Sequence, residues 1–295
     1  MGLKIFGWDK KDNTEKFHFF FFPMVRIKRS EKNKKIYFLG ICIKTKKKAF
    51  QKQEQMGSNY QKIETCLWQM QRVCALHDKV FTKFKNKHQG QDIVIVATGP
   101  TLNDFIPIKD AVYIGVNRAF SASNVTLDYL FMQDYIAVSK YIEESFPYKN
   151  ESLIRFYGIE PCKNIDHFMI PESIALRHQA LRYYVHSTFS DTPDLPDTFA
   201  YDLSCEELYG KGTTVFAALQ FALWTNPKRI YLVGCDCSNA GHFDVKDSSQ
   251  SCVHLIEHYH LFKKFVNDYY PETEIISVNP VGLKGVFKDL YQKKE

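Results

Sequence analysis

The sequence predicts a mostly parallel, doubly wound α/β sheet, because short buried runs alternate with helical patterns along the last two thirds of the chain. Six apolar runs have the length and composition of buried strands: 92–97, 112–116, 128–132, 153–157, 229–234 and 274–279. Four stretches between them have helical spacing: 135–145, 171–186, 213–224 and 253–269. Alternation of this kind favours a Rossmann-like sheet with helices on both faces, in which ligands bind beyond the carboxyl ends of the strands.

The N-terminal part has a different pattern. Between Phe17 and Lys48, β-rich residues alternate around a polar centre at 30–34, so we expect a small antiparallel β-hairpin. From Gln51 to Lys87 apolar residues recur every three or four positions, which predicts a connecting helix. We therefore expect a basic aromatic hairpin at 1–50, a connecting helix at 51–90 and the α/β domain at 91–295, with a lid at 237–253.

Positive charge is concentrated in this N-terminal part. Residues 1–50 contain 14 Lys and Arg against 4 Asp and Glu, whereas the rest of the chain contains 25 against 29. Cations interleaved with aromatic residues suit a patch that rests on anionic lipid headgroups. A solvated basic face on a hairpin is the alternative. Nucleic acid is disfavoured, because no recognition motif accompanies the charge.

Length and cysteine use limit the class of protein. The chain has 295 residues, of which 45% are hydrophobic. This is enough apolar material for a large core, so we expect a folded chain and not a disordered one. Its eight cysteines are scattered, which is typical of a reducing compartment. No apolar run approaches the roughly 20 residues that cross a bilayer. We expect a cytoplasmic protein that is peripheral on the inner face of an inner membrane.

The segment "VATGPTLN" (96–103) follows the first predicted strand of the α/β domain. Gly99 permits close approach of the backbone to a ligand, and Pro100 can open a helix. Thr98 and Thr101 offer hydroxyls beside the N–H groups of that helix end, which suits an anionic phosphate. An ordinary turn is the alternative, since the segment is neither a Walker loop nor a GxGxxG fingerprint.

Polar side chains also follow the later strands. Asn117 suits recognition of a base edge or a ribose, and Arg118 can pair with a phosphate. Capping of the next segment is the structural alternative for Asn117 and for the threonines that precede a helix. The further candidate binding residues at these positions are Gln133, Asp134, Thr213, Thr214 and Asp236.

Three histidines near the predicted lid are candidates for a chemical role. His254 and His258 are one helical turn apart, and His242 and three cysteines lie nearby in the sequence. These spacings match no standard zinc signature, so a metal site is disfavoured. One histidine acting as a general base is favoured, because an imidazole accepts protons well near neutral pH. Surface histidines on a helix are the alternative.

The combination of motifs resembles a known group of proteins. "VATGPTLN", "GVNRAF" and "GTTVFAALQFALWTNPKRIYLVGCD" resemble, in this order and spacing, the bacterial sialyltransferases of glycosyltransferase family 42. They are equally similar to the related DUF115 group, which includes flagellin-modifying Maf proteins and pterin pyrophosphokinase-like proteins. The segment "KKIYFLGICIKTKKK" (34–48) is similar to the opening of lipopolysaccharide glycosyltransferases. The resemblance over 92–280 implies a GT-A-like variant of the parallel sheet.

The resemblance also implies roles for particular residues. Thr98 stands where the family has an asparagine that helps to bind the nucleotide sugar, and Asn117 matches its second nucleotide-binding asparagine. The third nucleotide contact falls at Gln133 or Asp134. The family's catalytic histidine corresponds to His254, with His242 and His258 as rivals. Cys237 begins the stretch that replaces the family's leaving-phosphate tyrosines, so His242 or a tyrosine elsewhere has to substitute.

These implications predict a glycosyltransferase. The expected reaction is transfer of sialic acid or a related nonulosonate from a CMP-sugar to a lipopolysaccharide or lipooligosaccharide, by inverting displacement without a metal or other cofactor. The expected partners are the CMP-sugar, a glycolipid acceptor and an anionic membrane surface, with homo-oligomers possible. One alternative is an ATP- and Mg²⁺-dependent pterin diphosphotransferase with Asp134 and Asp236 as metal ligands. The other is a nucleotide-binding protein that docks on membranes without catalysis.

Overall fold

A computed structural model describes residues 6–11, 14–19, 22–30, 33–38, 41–43, 47–159, 169–186, 199–210, 212–245 and 252–293. The chain forms two compact units, Met1–Trp68 and Gln69–Glu295. Within the described residues, no helix has the length and apolar character needed to cross a membrane. The predicted domain boundaries at 50 and 90 remain predictions.

The first unit contains an antiparallel sheet of five strands, where the sequence predicted a single hairpin. The strands are β1 (Phe6–Lys11), β2 (Thr14–Phe19), β3 (Phe22–Ser30), β4 (Asn33–Phe38) and β5 (Ile41–Ile43), paired in chain order. The register aligns Lys11, Thr14, Lys28 and Lys35 in one cross-strand row. Trp8, Phe17, Val25, Phe38 and Ile41 form another.

The connecting helix, α1, spans Lys47–Phe81 and is followed by a short 3₁₀ turn at Thr82–Phe84. Its C-terminal part belongs to the second unit. There Val73, Val80 and Phe81 are buried, because they recur at helical spacing on the side that faces the α/β core.

The second unit is built on a sheet of nine parallel strands, which confirms the predicted fold class. The strands are β6 (Asp92–Val96), β7 (Val112–Val116), β8 (Tyr129–Met132), β9 (Ile154–Ile159), β10 (Leu181–His186), β11 (Leu208–Tyr209), β12 (Arg229–Val233), β13 (Glu274–Val278) and β14 (Lys288–Leu290). Their order is β11-β10-β9-β8-β7-β6-β12-β13-β14, and every neighbouring pair is parallel. Strand order reverses at β6, which lies between β7 and β12. This position is the topological switch point of the sheet.

The two faces of the sheet are covered differently. The helices of the second unit are α2 (Tyr135–Val138), α3 (Glu172–Arg177), α4 (Val215–Trp224) and α5 (Leu255–Tyr269). Ile93 and Ile95 face a core formed with α1, α4 and α5, while Val94 and Val96 face a core of short helices and turns. All ten residues of α4 are buried, which explains its apolar sequence.

A buried glutamine fixes the edge of the sheet. Gln220 of α4 accepts hydrogen bonds through Oε1 from the backbone N–H groups of Ala200, at 2.7 Å, and Tyr209, at 3.0 Å. Its Nε2 donates to the carbonyls of Tyr209, at 2.9 Å, and Phe216, at 2.7 Å. All four bonding positions of the side chain are therefore used, and β11 is held beside α4.

Several predicted elements differ from the structure. The predicted helix 171–186 is wrong in its second half: α3 ends at Arg177, Gln179 has φ 52°, and β10 follows. Tyr183 and Val185 alternate with less buried residues, as expected of a strand. The predicted helix at 135–145 consists of α2 and a 3₁₀ turn at Ile142–Ser145.

Candidate active site

A cavity of about 370 Å³ opens at the carboxyl ends of β6, β7, β8 and β12. Of the residues predicted to bind a ligand or act in catalysis, nine line it: Thr98, Gly99, Asn117, Gln133, Asp134, Thr213, Thr214, Asp236 and His242. Four do not: Pro100, Thr101, Arg118 and His254. Because parallel strands all end at the same edge of the sheet, residues far apart in the sequence meet at the switch point.

Gly99 brings the loop after β6 against the loop after β12. Its N–H donates to the carbonyl of Gly234 at 2.8 Å. A Cβ at Gly99 would lie 2.5 Å from that carbonyl oxygen and 2.6 Å from Cγ of Asp236. Only a glycine permits this approach, because such distances are shorter than any non-bonded carbon contact.

The N–H and hydroxyl of Thr101, which the sequence predicted would bind a phosphate, donate to Asp236. The segment after Gly99 is a 3₁₀ turn at Pro100–Asp104, and the N–H of Thr101 donates to Asp236 Oδ2 at 3.0 Å. The hydroxyl of Thr101 donates to the other carboxylate oxygen. Burial raises the pKa of Asp236, and the two hydrogen bonds from Thr101 oppose that shift. The carboxylate thus ties two loops together at the base of the cavity.

The ends of β7 and β8 supply amides and a carboxylate. Asn117 has φ 50°, and its Oδ1 accepts a hydrogen bond from the hydroxyl of Thr214 at 3.3 Å. The buried Gln133 donates through Nε2 to the carbonyl of Gly210 at 3.1 Å, and its Oε1 has no hydrogen-bond partner among the described residues. Asp134 caps α2 by accepting from the N–H of Ile136 at 2.9 Å. An unpaired buried acceptor in a cavity wall is a position where the donor of a ligand can bind.

The N-terminus of α4 opens into the same cavity. Thr213 and Thr214 both line it, and the hydroxyl of Thr213 accepts from the N–H of Val215 at 3.3 Å. Thr214, at the cap position, makes no side-chain capping bond. The partial positive charge of this ten-residue helix therefore faces the cavity, where it favours an anion.

His242 lies on a short segment that is bonded to the strand-end loops. Its Nδ1 is 2.9 Å from Oγ1 of Thr98, and the N–H of Phe243 donates to the Thr98 carbonyl at 2.8 Å. The carbonyl of Phe243 accepts from Asn103 Nδ2 at 2.8 Å. Nε2 of His242 has no hydrogen-bond partner in the described part of the chain. One nitrogen of this ring is thus fixed and the other is open.

Arg118 holds the same segment from the next strand. Its guanidinium forms an ion pair with Asp244 and lies 5.5 Å from the ring centroid of Tyr141. The predicted pairing of Arg118 with a phosphate remains a prediction, and its partner within the chain is the carboxylate of Asp244.

The other two candidate histidines lie at the N-cap of α5 and within it. His254 precedes the helix at its N-cap, is exposed, and is close enough that a Cβ at Gly212 would be 3.7 Å from its Nε2. Nδ1 of His258 is 2.8 Å from the hydroxyl of Tyr209. Neither residue lines the cavity, whereas His242 does.

The cavity wall also contains residues that the sequence did not single out for binding. Cys235 and Cys237 follow β12, and Cys252 and Tyr259 face them. Burial raises the pKa of Cys237 to about 12 and raises those of Cys235 and Tyr259, so these groups stay protonated at neutral pH. The positions of Cys235 and Cys237 after the carboxyl end of β12 could have indicated that they line the cavity, but no local signal marks Tyr259.

Among the described residues, no group of three or more His, Cys, Asp or Glu side chains has the arrangement of a metal site.

Comparisons with known proteins concern the overall shape only. No family model matches the chain, and no curated protein matches it. The MAf glycosyltransferase from Magnetospirillum magneticum AMB-1 is similar over 75% of this chain and 38% of that chain, at 15% identity and a TM-score of 0.43. The sialyltransferase CstII from Campylobacter jejuni, solved with CMP-3FNeuAc, is similar over 68% and 85%, at 14% identity and a TM-score of 0.36.

Proposed function

We propose that the chain is a glycosyltransferase that uses a CMP-activated nonulosonate, sialic acid or a close relative, and extends a glycolipid acceptor. One observation carries the proposal: a histidine with an open ring nitrogen and the N-terminus of α4 face the same cavity at the switch point of the sheet. The motif resemblance to family 42 sialyltransferases supplies the nucleotide and the sugar class.

The proposed reaction is an inverting displacement. His242 removes the proton of the acceptor hydroxyl, whose oxygen then attacks the anomeric carbon while the bond to the phosphate breaks. Charge that develops on the departing CMP phosphate is stabilised by the N–H groups of α4 and by the hydroxyls of Thr213 and Thr214. Asn117 and Gln133 hold the nucleoside through hydrogen bonds.

The chemistry of the carboxylates disfavours Mg²⁺-dependent diphosphate transfer. Asp236 accepts from Thr101 through both oxygens, and Asp134 accepts from a backbone N–H as a helix cap. A magnesium ion with bound phosphates needs free carboxylate oxygens, and of these two residues only Asp134, through Oδ2, has one without a hydrogen-bond partner in the described part of the chain. A nucleoside monophosphate leaving group requires less charge neutralisation than a diphosphate does, which agrees with a metal-independent reaction.

The first unit suits attachment to an anionic membrane surface. The register places Lys11, Lys28 and Lys35 in one cross-strand row of its antiparallel sheet, and residues 1–50 contain 14 Lys and Arg against 4 Asp and Glu. Each cation near an anionic surface contributes about 1 kcal/mol. We propose a cytoplasmic enzyme that is peripheral on the inner face of the inner membrane, where a glycolipid acceptor would be found. Sedimentation with phosphatidylglycerol vesicles but not with phosphatidylcholine vesicles is the expected result, and equal binding to both contradicts it.

The nucleotide is tested by thermal denaturation with CMP, CDP, UDP, GDP and ADP, with and without Mg²⁺. We expect CMP alone, at about 100 times its Kd, to raise the Tm by about 5–10 °C. A response restricted to ADP with Mg²⁺ overturns the proposed reaction class. CMP stabilisation without any transfer activity favours the non-catalytic alternative.

The base is tested in the same protein by substitution. His242→Gln should lower kcat for transfer by about 10²–10⁴-fold, because a glutamine cannot accept the proton, and should keep the CMP-induced rise in Tm. The matched control is His260→Gln, an exposed position on α5 that should keep full activity. If His254→Gln abolishes transfer and His242→Gln does not, the base is His254.

A further inference from the structure

The contact between Thr98 and His242 has a chemical consequence. Oγ1 of Thr98 is 2.9 Å from Nδ1 of His242, and both residues line the cavity. We propose that Thr98 is a positioning residue, which accepts a hydrogen bond from Nδ1–H and so holds His242 in the tautomer whose Nε2 carries the free lone pair. The inference rests on the proposed function, in which His242 is the base.

The backbone makes this contact a fixed feature of the site. The N–H of Phe243 donates to the carbonyl of Thr98 at 2.8 Å, and the N–H of His242 donates to the carbonyl of Val245 at 2.8 Å. Asn103 holds the carbonyl of Phe243 at 2.8 Å. These bonds fix the backbone at His242 and Phe243. The position of the His242 ring beside Thr98 is therefore set by the main chain as well as by the hydrogen bond of the ring itself.

The tautomer decides what the open nitrogen can do. A neutral imidazole has one donor and one acceptor nitrogen, and the hydrogen bond at one nitrogen sets the role of the other. If the Thr98 hydroxyl donated to Nδ1, Nε2 would carry a proton and could not act as a base. With Nδ1–H donating to Oγ1, Nε2 is free, and no described residue occupies it.

The hydrogen bond from Nδ1–H to Thr98 also suits the protonated, positively charged ring of His242. In the reaction the O–H bond of the acceptor breaks and its proton binds to the Nε2 lone pair. The acceptor oxygen forms the new bond to the anomeric carbon, and the electron pair of the broken C–O bond leaves with the CMP phosphate. The imidazolium donates from both nitrogens, so the bond from Nδ1–H to Thr98 persists through the step without reorganisation.

The tautomer is measured directly by long-range ¹H–¹⁵N NMR of the full-length protein with ¹⁵N-labelled histidine. The His242 signals are assigned by their loss in His242→Gln. We expect the unliganded protein to have protonated Nδ1 and unprotonated Nε2 at His242. Thr98→Val, which keeps the shape and removes the acceptor, should shift the ring toward the Nε2–H form, and Thr98→Ser should restore the original pattern. A protein with Nε2–H at His242 overturns the proposal.

The kinetic test separates positioning from a structural role. Thr98→Val should lower kcat by roughly 10–100-fold with KM for the donor within about twofold of the original, and Thr98→Ser should recover most of the rate. The matched control is Thr82→Val, an exposed threonine on the turn after α1, which should change neither parameter. Unchanged kcat in Thr98→Val overturns the proposal, and so does a loss of CMP stabilisation, since Thr98 would then be a nucleotide contact.

Failure of the proposed function gives a different result. In that case CMP does not stabilise the original protein in thermal denaturation. The tautomer measurement needs neither substrate nor activity, so it still decides whether Thr98 sets the state of His242.

Discussion

The two ends of the parallel sheet use the same residue types in opposite ways. At the amino ends, His88 uses both ring nitrogens within the chain, at 2.8 Å from Gln91 Oε1 and 2.8 Å from the Tyr129 hydroxyl. At the carboxyl ends, His242 uses only Nδ1, with Thr98, and Nε2 has no partner among the described residues.

Each end also has an Arg–Asp ion pair. Arg229 binds Asp92 through two hydrogen bonds, at 2.7 Å and 2.6 Å, and so joins the first residues of β12 and β6. Arg118 binds Asp244 and so joins the loop after β7 to the segment that carries His242. Polar groups at one end satisfy each other and close the fold, whereas those at the other end hold the segment of His242 beside a cavity. Function is expected where the bonding capacity of the chain is left incomplete.

The largest expected difference between the two ends of the sheet comes from replacing one glycine at each end by alanine. Gly99→Ala would place a Cβ 2.5 Å from the Gly234 carbonyl oxygen, so the loops after β6 and β12 must separate. Such overpacking costs about 1–3 kcal/mol, which corresponds to a fall of roughly 2–10 °C in Tm, and should weaken CMP binding at least about tenfold.

The matched control for Gly99→Ala is at the amino end. Gly90 has φ 75° and no atom within 4 Å of the position of a Cβ. Gly90→Ala should therefore cost about 1–2 kcal/mol from backbone strain alone and leave CMP binding unchanged. Thermal denaturation with and without CMP measures both effects. Normal CMP binding by Gly99→Ala would contradict the assigned role of this loop.

The second prediction concerns pH and His88. Burial lowers the pKa of His88, with the hydrogen bond to Gln91 opposing the shift, so the unfolded chain binds its proton more tightly than the folded one. The contribution of neutral His88 to the free energy of unfolding is fully present above the pKa of about 6.5 that a histidine has in the unfolded chain. It is lost as pH falls through the lower pKa of His88 in the folded protein.

Urea denaturation at pH 7.5 and pH 5 tests this assignment. His88→Gln should lose less free energy of unfolding between these two pH values than the original protein, while kcat at neutral pH stays unchanged. Burial also lowers the pKa of His77, to about 4, but that residue is present in both proteins and its effect cancels in the difference. An equal pH dependence in the two proteins would be inconsistent with a buried, neutral His88.

The smallest effects are expected from the two ion pairs. Their members are partly exposed, so each pair contributes less than about 1 kcal/mol to stability. Arg229→Gln should lower the free energy of unfolding by that amount and leave transfer unchanged. Arg118→Gln should cost a similar amount but also lower kcat by about two- to fivefold, because Asp244 is two residues from His242. Equal kcat values in Arg229→Gln and Arg118→Gln would contradict the proposed functional difference between the two ends of the sheet.

Local patterns were sufficient for most of the α/β fold. The six predicted strands all occur, and 112–116 was predicted with the bounds of β7. The reason is that strands of a parallel sheet are buried on both faces and therefore read as short apolar runs. The strand β10 was missed because LRYYVH follows α3 so closely that its apolar residues continue the helical pattern. The left-handed Gln179 breaks that pattern, and a glutamine gives no sign of it.

The candidate site was predicted less completely. Nine of the thirteen predicted residues line one cavity; eight of them follow strands or begin a helix at the carboxyl edge, and His242 lies on the longer segment after β12. Thr101 was expected to face a phosphate, but it bonds to Asp236, which is 135 positions away. Such long-range partners have no signature in a local window.

The sequence by itself determined the order of strands and helices and the edge of the sheet at which the polar residues gather. Only the tertiary structure decided which residues share the cavity. His242 lines it and His254 does not, since the path of the chain at 242–244 is set by bonds to Thr98, Asn103 and Arg118. Secondary structure follows from periodicity along the chain, whereas a site depends on contacts between loops that no periodicity encodes.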